Sequence, residues 1–157
     1  MQNTIERNAT AELAELVYKN SKMGGEAITD ILPKIKDEGA TEKCEKLRAE
    51  LTRQFAEYEK IAAEAEKHLE KNDLPATEEG VLTKMASKLG IMMNTMKDPS
   101  PSHIAEMTVK GLSMGITEMI AQKREAEKRG CDDEILKLAE RLISFQEEAV
   151  DKIKAYL

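Results

Sequence analysis

Glu118 is the residue in this sequence whose setting most demands a chemical partner. At helical spacing it falls among Ile104, Gly111, Met114 and Gly115, and Gln122 continues the same line one turn later. A carboxylate on so apolar an arc must meet a cation, accept hydrogen bonds or take up a proton. It is then either the remnant of a metal or ligand site, or one member of a polar core layer with Asn20, Gln54, Gln122 and Gln146 that fixes helix register. The polar layer is the expectation. Glu57 and Glu148 sit at the margins of their apolar stripes, and Glu64-x-x-x-His68 brings a carboxylate and an imidazole to one helix rim. Glu118, Glu57, Glu148 and His68 therefore form the candidate metal-ligand set. His68, near a helix C-terminus, is also placed to interact with the helix dipole, whereas His103 in a first turn has no such benefit and is expected to be exposed. Glu15 and Glu106 each precede a lysine by four positions, Lys19 and Lys110, the spacing of a surface ion pair.

Glycine and methionine mark the other sites of interest. Gly24 and Gly115 fall on the apolar faces of their helices, and glycine there costs up to about 1 kcal/mol against alanine, so a close helix contact is expected in return. Room for a ligand is the alternative. Met85, Met92, Met93, Met96, Met107, Met114 and Met119 concentrate in the second half of the chain. They read as core filler, with an adaptable groove for an apolar molecule or a soft copper site as alternatives. Haem would need an axial ligand deep in the bundle, and neither histidine is placed for it. No catalytic residue is expected.

The elements that position these residues are helices. Leu13, Leu16, Val17, Met23, Ala27, Ile28, Ile31 and Ile35 recur at three and four, predicting a helix from about Thr4 to Asp37, kinked or frayed near Pro33 and stopped by Gly39. Thr41 opens a second helix, to about Lys71. After a polar break, Thr77 caps a third, to about Lys97; Ser100 and Pro101 open a fourth, to about Arg129. Gly130 turns the chain into a fifth, from about Asp132 to Tyr156. The chain also repeats itself at an offset of ninety-one positions, pairing Ala14 with Ala105, Gly24 with Gly115, Leu47 with Leu138 and Leu51 with Leu142. One amphipathic hairpin cannot bury its own apolar face, so two copies imply a four-helix bundle in which each covers the other.

The single domain of residues 1–157 thus divides into a hairpin over 4–71, a crossover over 72–99 and a hairpin over 100–157. An up-down-up-down bundle needs only a few residues between its middle helices. A helix of about 20 residues spans roughly 30 Å, enough to carry the chain from one end of a bundle to the other. A duplicated hairpin with a long crossover resembles the ferritin-like superfamily, an all-α fold of two twofold-related hairpins. That resemblance implies iron or manganese held by a glutamate and a Glu-x-x-His pair from each hairpin. No Glu-x-x-His occurs in this chain. The resemblance therefore implies a bundle without the standard dinuclear site, or a divergent one drawn from the candidate set.

Composition sets the remaining bounds. With 157 residues and 41% hydrophobic ones the chain can bury a substantial core. Its 3% aromatic content and abundance of Ala, Glu, Lys and Leu favour helix over sheet. The net charge of −6, with lysines and arginines interleaved among acids, argues against a nucleic-acid surface. Cys44 and Cys131 lack CxxC spacing and read as reduced structural thiols. No leader pattern and no apolar run of about 18 residues is present, so a cytoplasmic protein without membrane contact is expected. The functional expectation is a non-enzymatic bundle with a structural or interaction role, self-associating as a homodimer or other homo-oligomer. Its alternatives are metal-dependent iron or manganese oxidation, peroxide handling or storage, and carriage of an apolar small molecule in a Met-lined core.

Overall fold

Apolar residues at spacings of three and four wind this chain into α-helices. The computed structural model describes residues 4–35, 41–72 and 100–157. Among them are four α-helices and no strand: α1 (Thr4–Ile31), α2 (Glu42–Lys71), α3 (Pro101–Lys128) and α4 (Asp133–Lys154). The helix expected from Thr77 to Lys97 lies outside the described residues, as does the expected stop at Gly39.

The caps follow the sequence. Thr41 Oγ1 accepts from the Cys44 amide at 3.3 Å, and Ser100 Oγ accepts from the His103 amide at 3.3 Å, with Pro101 directly after. Gly130 takes φ +79° between α3 and α4, the left-handed turn that favours glycine. The end of α1 departs from expectation. It stops at Ile31, six residues short of Asp37, and tightens into a 3₁₀ turn over Leu32–Lys34. Pro33 is the cause: it has no amide to donate and its ring crowds the carbonyl four residues back. Ile35 is then extended, and its main-chain oxygen accepts from Arg48 Nη2 at 2.6 Å, tying the exit of α1 to α2.

Contacts between helices fix their directions. Lys22 reaches Glu59 at 3.3 Å and Ile35 meets Arg48, so α1 and α2 are antiparallel. Glu12 pairs with Arg129 at 2.6 Å and Asn20 bonds Gly115, so α1 and α3 are antiparallel too. Glu57 pairs with Arg141 at 2.9 Å and His68 approaches Glu134 at 3.9 Å, making α2 and α4 antiparallel. Thr10 accepts from the Asp132 amide and Asn20 accepts from Gln146, so α1 and α4 run the same way. It follows that α2 and α3 are also parallel, and that Asn72 and Ser100 lie at opposite ends of the bundle. Thirty residues of α2 span about 45 Å.

The core runs along the whole bundle. Leu13, Leu47, Leu51, Ile61, Ile104, Met119, Leu142 and Ile153 are fully buried. Both members of the repeat pairs Ala14 and Ala105, Leu47 and Leu138, and Leu51 and Leu142 are inside. Both cysteine thiols are free, and burial pushes the Cys131 thiol up.

Gly24 lets the Tyr58 ring lie directly on α1: a Cβ there would stand 2.4 Å from the ring. Tyr58 in turn meets Phe145 of α4 edge-on, with centroids 4.9 Å apart. The close contact expected at this glycine is thus made by an aromatic ring. Gly24→Ala is expected to lower stability by about 1–3 kcal/mol in denaturant titration, because the overpacking outweighs the helix-propensity gain of up to about 1 kcal/mol. Leu51→Ala and Leu142→Ala, at equivalent positions of the two hairpins, should each cost about 2–5 kcal/mol.

Candidate functional site

Four side chains from three helices meet midway along the bundle. Asn20 of α1, Gln54 and Tyr58 of α2 and Gln146 of α4 are each at most 2% exposed. Asn20 Nδ2 donates to the main-chain oxygen of Gly115 on α3 at 3.3 Å, and Asn20 Oδ1 accepts from Gln146 Nε2 at 2.8 Å. The same Gln146 nitrogen donates to the Tyr58 hydroxyl at 3.2 Å. Gln54 Nε2 donates to Glu50 Oε1, one turn earlier on α2, at 2.9 Å. Gly115 makes the arrangement possible, since a Cβ there would stand 3.1 Å from Gln146 Nε2 and 3.4 Å from Asn20 Nδ2.

Beside this layer is a cavity of about 60 Å³ that opens to solvent. Met23, Gly24, Ala27, Ile28 and Ile31 line it from α1, and Met107, Gly111, Leu112 and Gly115 from α3. Asn20, Gln54, Tyr58 and Gln146 supply its polar wall. Thr108 also lines it, but its hydroxyl donates to the Ile104 carbonyl at 2.8 Å. Ser21 Oγ, Gln54 Oε1 and Gln146 Oε1 are buried without a hydrogen-bond partner among the described residues. Each such atom costs about 1–3 kcal/mol unless something answers it.

The expected polar layer is present with a different membership. Asn20, Gln54 and Gln146 belong to it; Glu118 and Gln122 do not. Those two are half-buried and bond each other, Gln122 Nε2 donating to Glu118 Oε1 at 2.9 Å. Leu112, Gly115 and Met119 are the buried residues of this stretch of α3. Glu118 lies about 60° round the helix from Gly115, on the edge away from Leu112 and Met119.

The candidate metal ligands each have a partner of their own. Glu57 and Glu64 share Arg141, at 2.9 and 2.6 Å. Glu148 pairs with Lys152 at 2.7 Å, and this hydrogen bond holds its carboxyl below the usual carboxylate range. His68 Nδ1 is 3.9 Å from Glu134, and His103, half-buried rather than exposed, is 3.7 Å from Glu106. Among the described residues no three His, Cys, Asp or Glu side chains are grouped to hold a metal ion. The duplicated pairs Glu15–Lys19 and Glu106–Lys110 form ion pairs at 3.1 and 2.8 Å.

Sequence reasoning missed the role of Tyr58, which reads as one more apolar-stripe residue. The signal was Gly24 opposite it, which announced a close neighbour without naming one. Burial pushes the Tyr58 hydroxyl up to about 12, with the Gln146 hydrogen bond pulling the other way. The unfolded chain releases this proton near pH 10, while the folded chain holds it until about pH 12, so stability falls across that interval. Measured against Tyr58→Phe over the same range, the loss should reach roughly 3 kcal/mol.

Comparison of the chain with models of known protein families, with curated proteins and with solved structures gives no match.

Proposed function

We propose that this protein is a non-enzymatic helical bundle that holds a small apolar molecule in its mid-bundle cavity. The observation that carries this reading is the cavity itself. Apolar side chains of α1 and α3 form its walls, two of them adaptable methionines, Met23 and Met107. Its size limits the occupant: a dry cavity of about 150 Å³ takes benzene, so about 60 Å³ suits a short alkyl group, with the rest of any larger molecule in the mouth. At about 0.8 kcal/mol per buried methylene, the two to three carbons such a space holds gain roughly 2 kcal/mol, a dissociation constant of tens of millimolar.

The parallel course of α2 and α3, which puts Asn72 and Ser100 at opposite ends of the bundle, supports a ferritin-like arrangement. A cytoplasmic setting and self-association complete the proposal. The metal-dependent reading has less support, because Glu57, Glu148 and Glu118 are engaged separately and His68 lies beside Glu134. A purely structural bundle is the reading that failure to bind would favour.

Titration with xenon and with 2-methylbutane, followed through the methyl resonances of Met23 and Met107, tests the site. Saturable shifts at both methionines are expected, with the midpoint of thermal unfolding raised by about 3–5 °C at ten times the dissociation constant. Ala27→Leu, which adds bulk to the cavity wall, should abolish them. Shifts that are absent or never saturate would overturn the reading.

A further inference from the structure

The hydrogen bonds of the cavity's polar wall leave the Tyr58 hydroxyl half used. Its oxygen accepts from Gln146 Nε2 at 3.2 Å, but its proton is donated to nothing among the described residues. The two unpartnered oxygens of the wall, Gln54 Oε1 and Gln146 Oε1, are sealed, with less than 1 Å² of each exposed. They offer a ligand nothing. The hydroxyl is differently situated. A Cβ at Gly24 would stand 2.4 Å from Tyr58 Cζ, the ring carbon that bears the oxygen, and a Cβ at Gly115 would stand 3.1 Å from the Gln146 nitrogen bonded to that oxygen. The hydroxyl therefore lies between two positions without side chains, and both glycines line the cavity. A hydroxyl that accepts one hydrogen bond is a stronger donor in the next, because the two bonds polarise each other. Burial pushes its pKa up to about 12, so the proton is in place throughout the neutral range.

On the reading of that cavity as a small-molecule site, we infer that its ligand carries an uncharged hydrogen-bond acceptor, a carbonyl or ether oxygen, to which the Tyr58 hydroxyl donates while the apolar part lies between α1 and α3. Away from the polar wall the lining runs through Ala27 and Ile31 on α1 and through Leu112 and Met107 on α3, so both parts of such a molecule are matched. Among the described residues no charged side chain lines the cavity, and a carboxylate there would be an acceptor buried without a counter-charge. An ammonium group would lose its water for a site whose free hydroxyl proton repels it.

Xenon, butanone, pyrrole and 2-methylpropanoate, titrated against the wild-type chain and Tyr58→Phe with the methyl resonances of Met23 and Met107 as readout, test the assignment. Xenon reports the cavity alone. Pyrrole brings an N–H donor and no lone pair free to accept. Tyr58→Phe removes the hydroxyl and leaves Gln146 its bond to Asn20, so a loss confined to butanone is the loss of the ligand's hydrogen bond and not of the fold. Butanone should bind Tyr58→Phe roughly five- to tenfold more weakly than the wild type, with xenon and pyrrole changing by less than about twofold. In the wild type 2-methylpropanoate should bind more weakly than butanone. Butanone and xenon weakened by the same factor would overturn the acceptor assignment and give the hydroxyl a structural part only. Butanone unchanged by the substitution, pyrrole weakened as much as butanone, or an anion bound as tightly as the ketone would overturn it as well. In each of these cases saturable xenon binding leaves the cavity reading standing. Failure of every probe, xenon included, would overturn both.

Discussion

The middle of this bundle depends on one hydrogen bond from a side chain to helical backbone, Asn20 Nδ2 to the Gly115 carbonyl. It requires α1 and α3 to approach closely enough for an asparagine to reach past a position without a side chain. A Cβ at Gly115 would crowd the very amides involved. Once that bond is set, the orientation of Asn20 is set, then that of Gln146, then the acceptor role of the Tyr58 oxygen. Buried amides are costly unless matched, so sliding α1 along α3 by a turn would strand several polar groups at once. The apolar core alone tolerates such slippage better, because leucine and alanine layers resemble one another. The polar layer supplies register where the hydrophobic pattern supplies only adhesion.

The residues that repeat at the ninety-one-residue offset include buried positions of both hairpins, such as Leu51 and Leu142, but not this layer. At the ninety-one-residue offset, Asn20 corresponds to Gly111, Gln54 to Phe145, Phe55 to Gln146 and Tyr58 to Ala149. Bulk and polarity in one copy face small or apolar residues in the other. The glycines are shared, Gly24 and Gly115, yet each accommodates something different: an aromatic ring in one case, a pair of amides in the other. The cavity is lined by Tyr58 from one hairpin and by Gly111 and Gly115 from the other. A symmetric pair of hairpins would have placed like against like there, and would have filled the space or left it wholly apolar.

How much of this could be read beforehand varies with the range of the interaction. Local chemistry was legible: Thr41 and Ser100 cap helices through their own side chains, Gly130 turns left-handed, and the Glu-to-Lys spacings become ion pairs. Pro33 was legible as a disturbance but not in extent, because how far a helix survives a proline depends on whether tertiary contacts, here Arg48 on the Ile35 carbonyl, reward leaving it. Asn20, Gln54 and Gln146 were identifiable as polar residues on apolar stripes. Glu118 was misplaced since a broad apolar arc does not reveal which part of it faces the core. Tyr58 was invisible as a polar-layer residue, for its role is set by Gly24 on another helix, thirty-four positions away. The candidate metal ligands looked plausible one at a time, and only the relative placement of helices separates them.

Every bond that shapes the polar layer across the hairpins spans a large sequence separation, 95 residues for Asn20 to Gly115 and 126 for Gln146 to Asn20. Neither hairpin contains the cavity; each contributes part of its wall. The apolar surfaces of a hairpin can form through local contacts early, whereas this pocket comes into being only when the halves meet. A molecule bound there would therefore act as a mortar between the two hairpins, its binding and their docking being a single linked equilibrium. A molecule of a few carbons would in this way stiffen a joint between hairpins whose helices run to about 45 Å, without touching the hydrogen bonds of any helix.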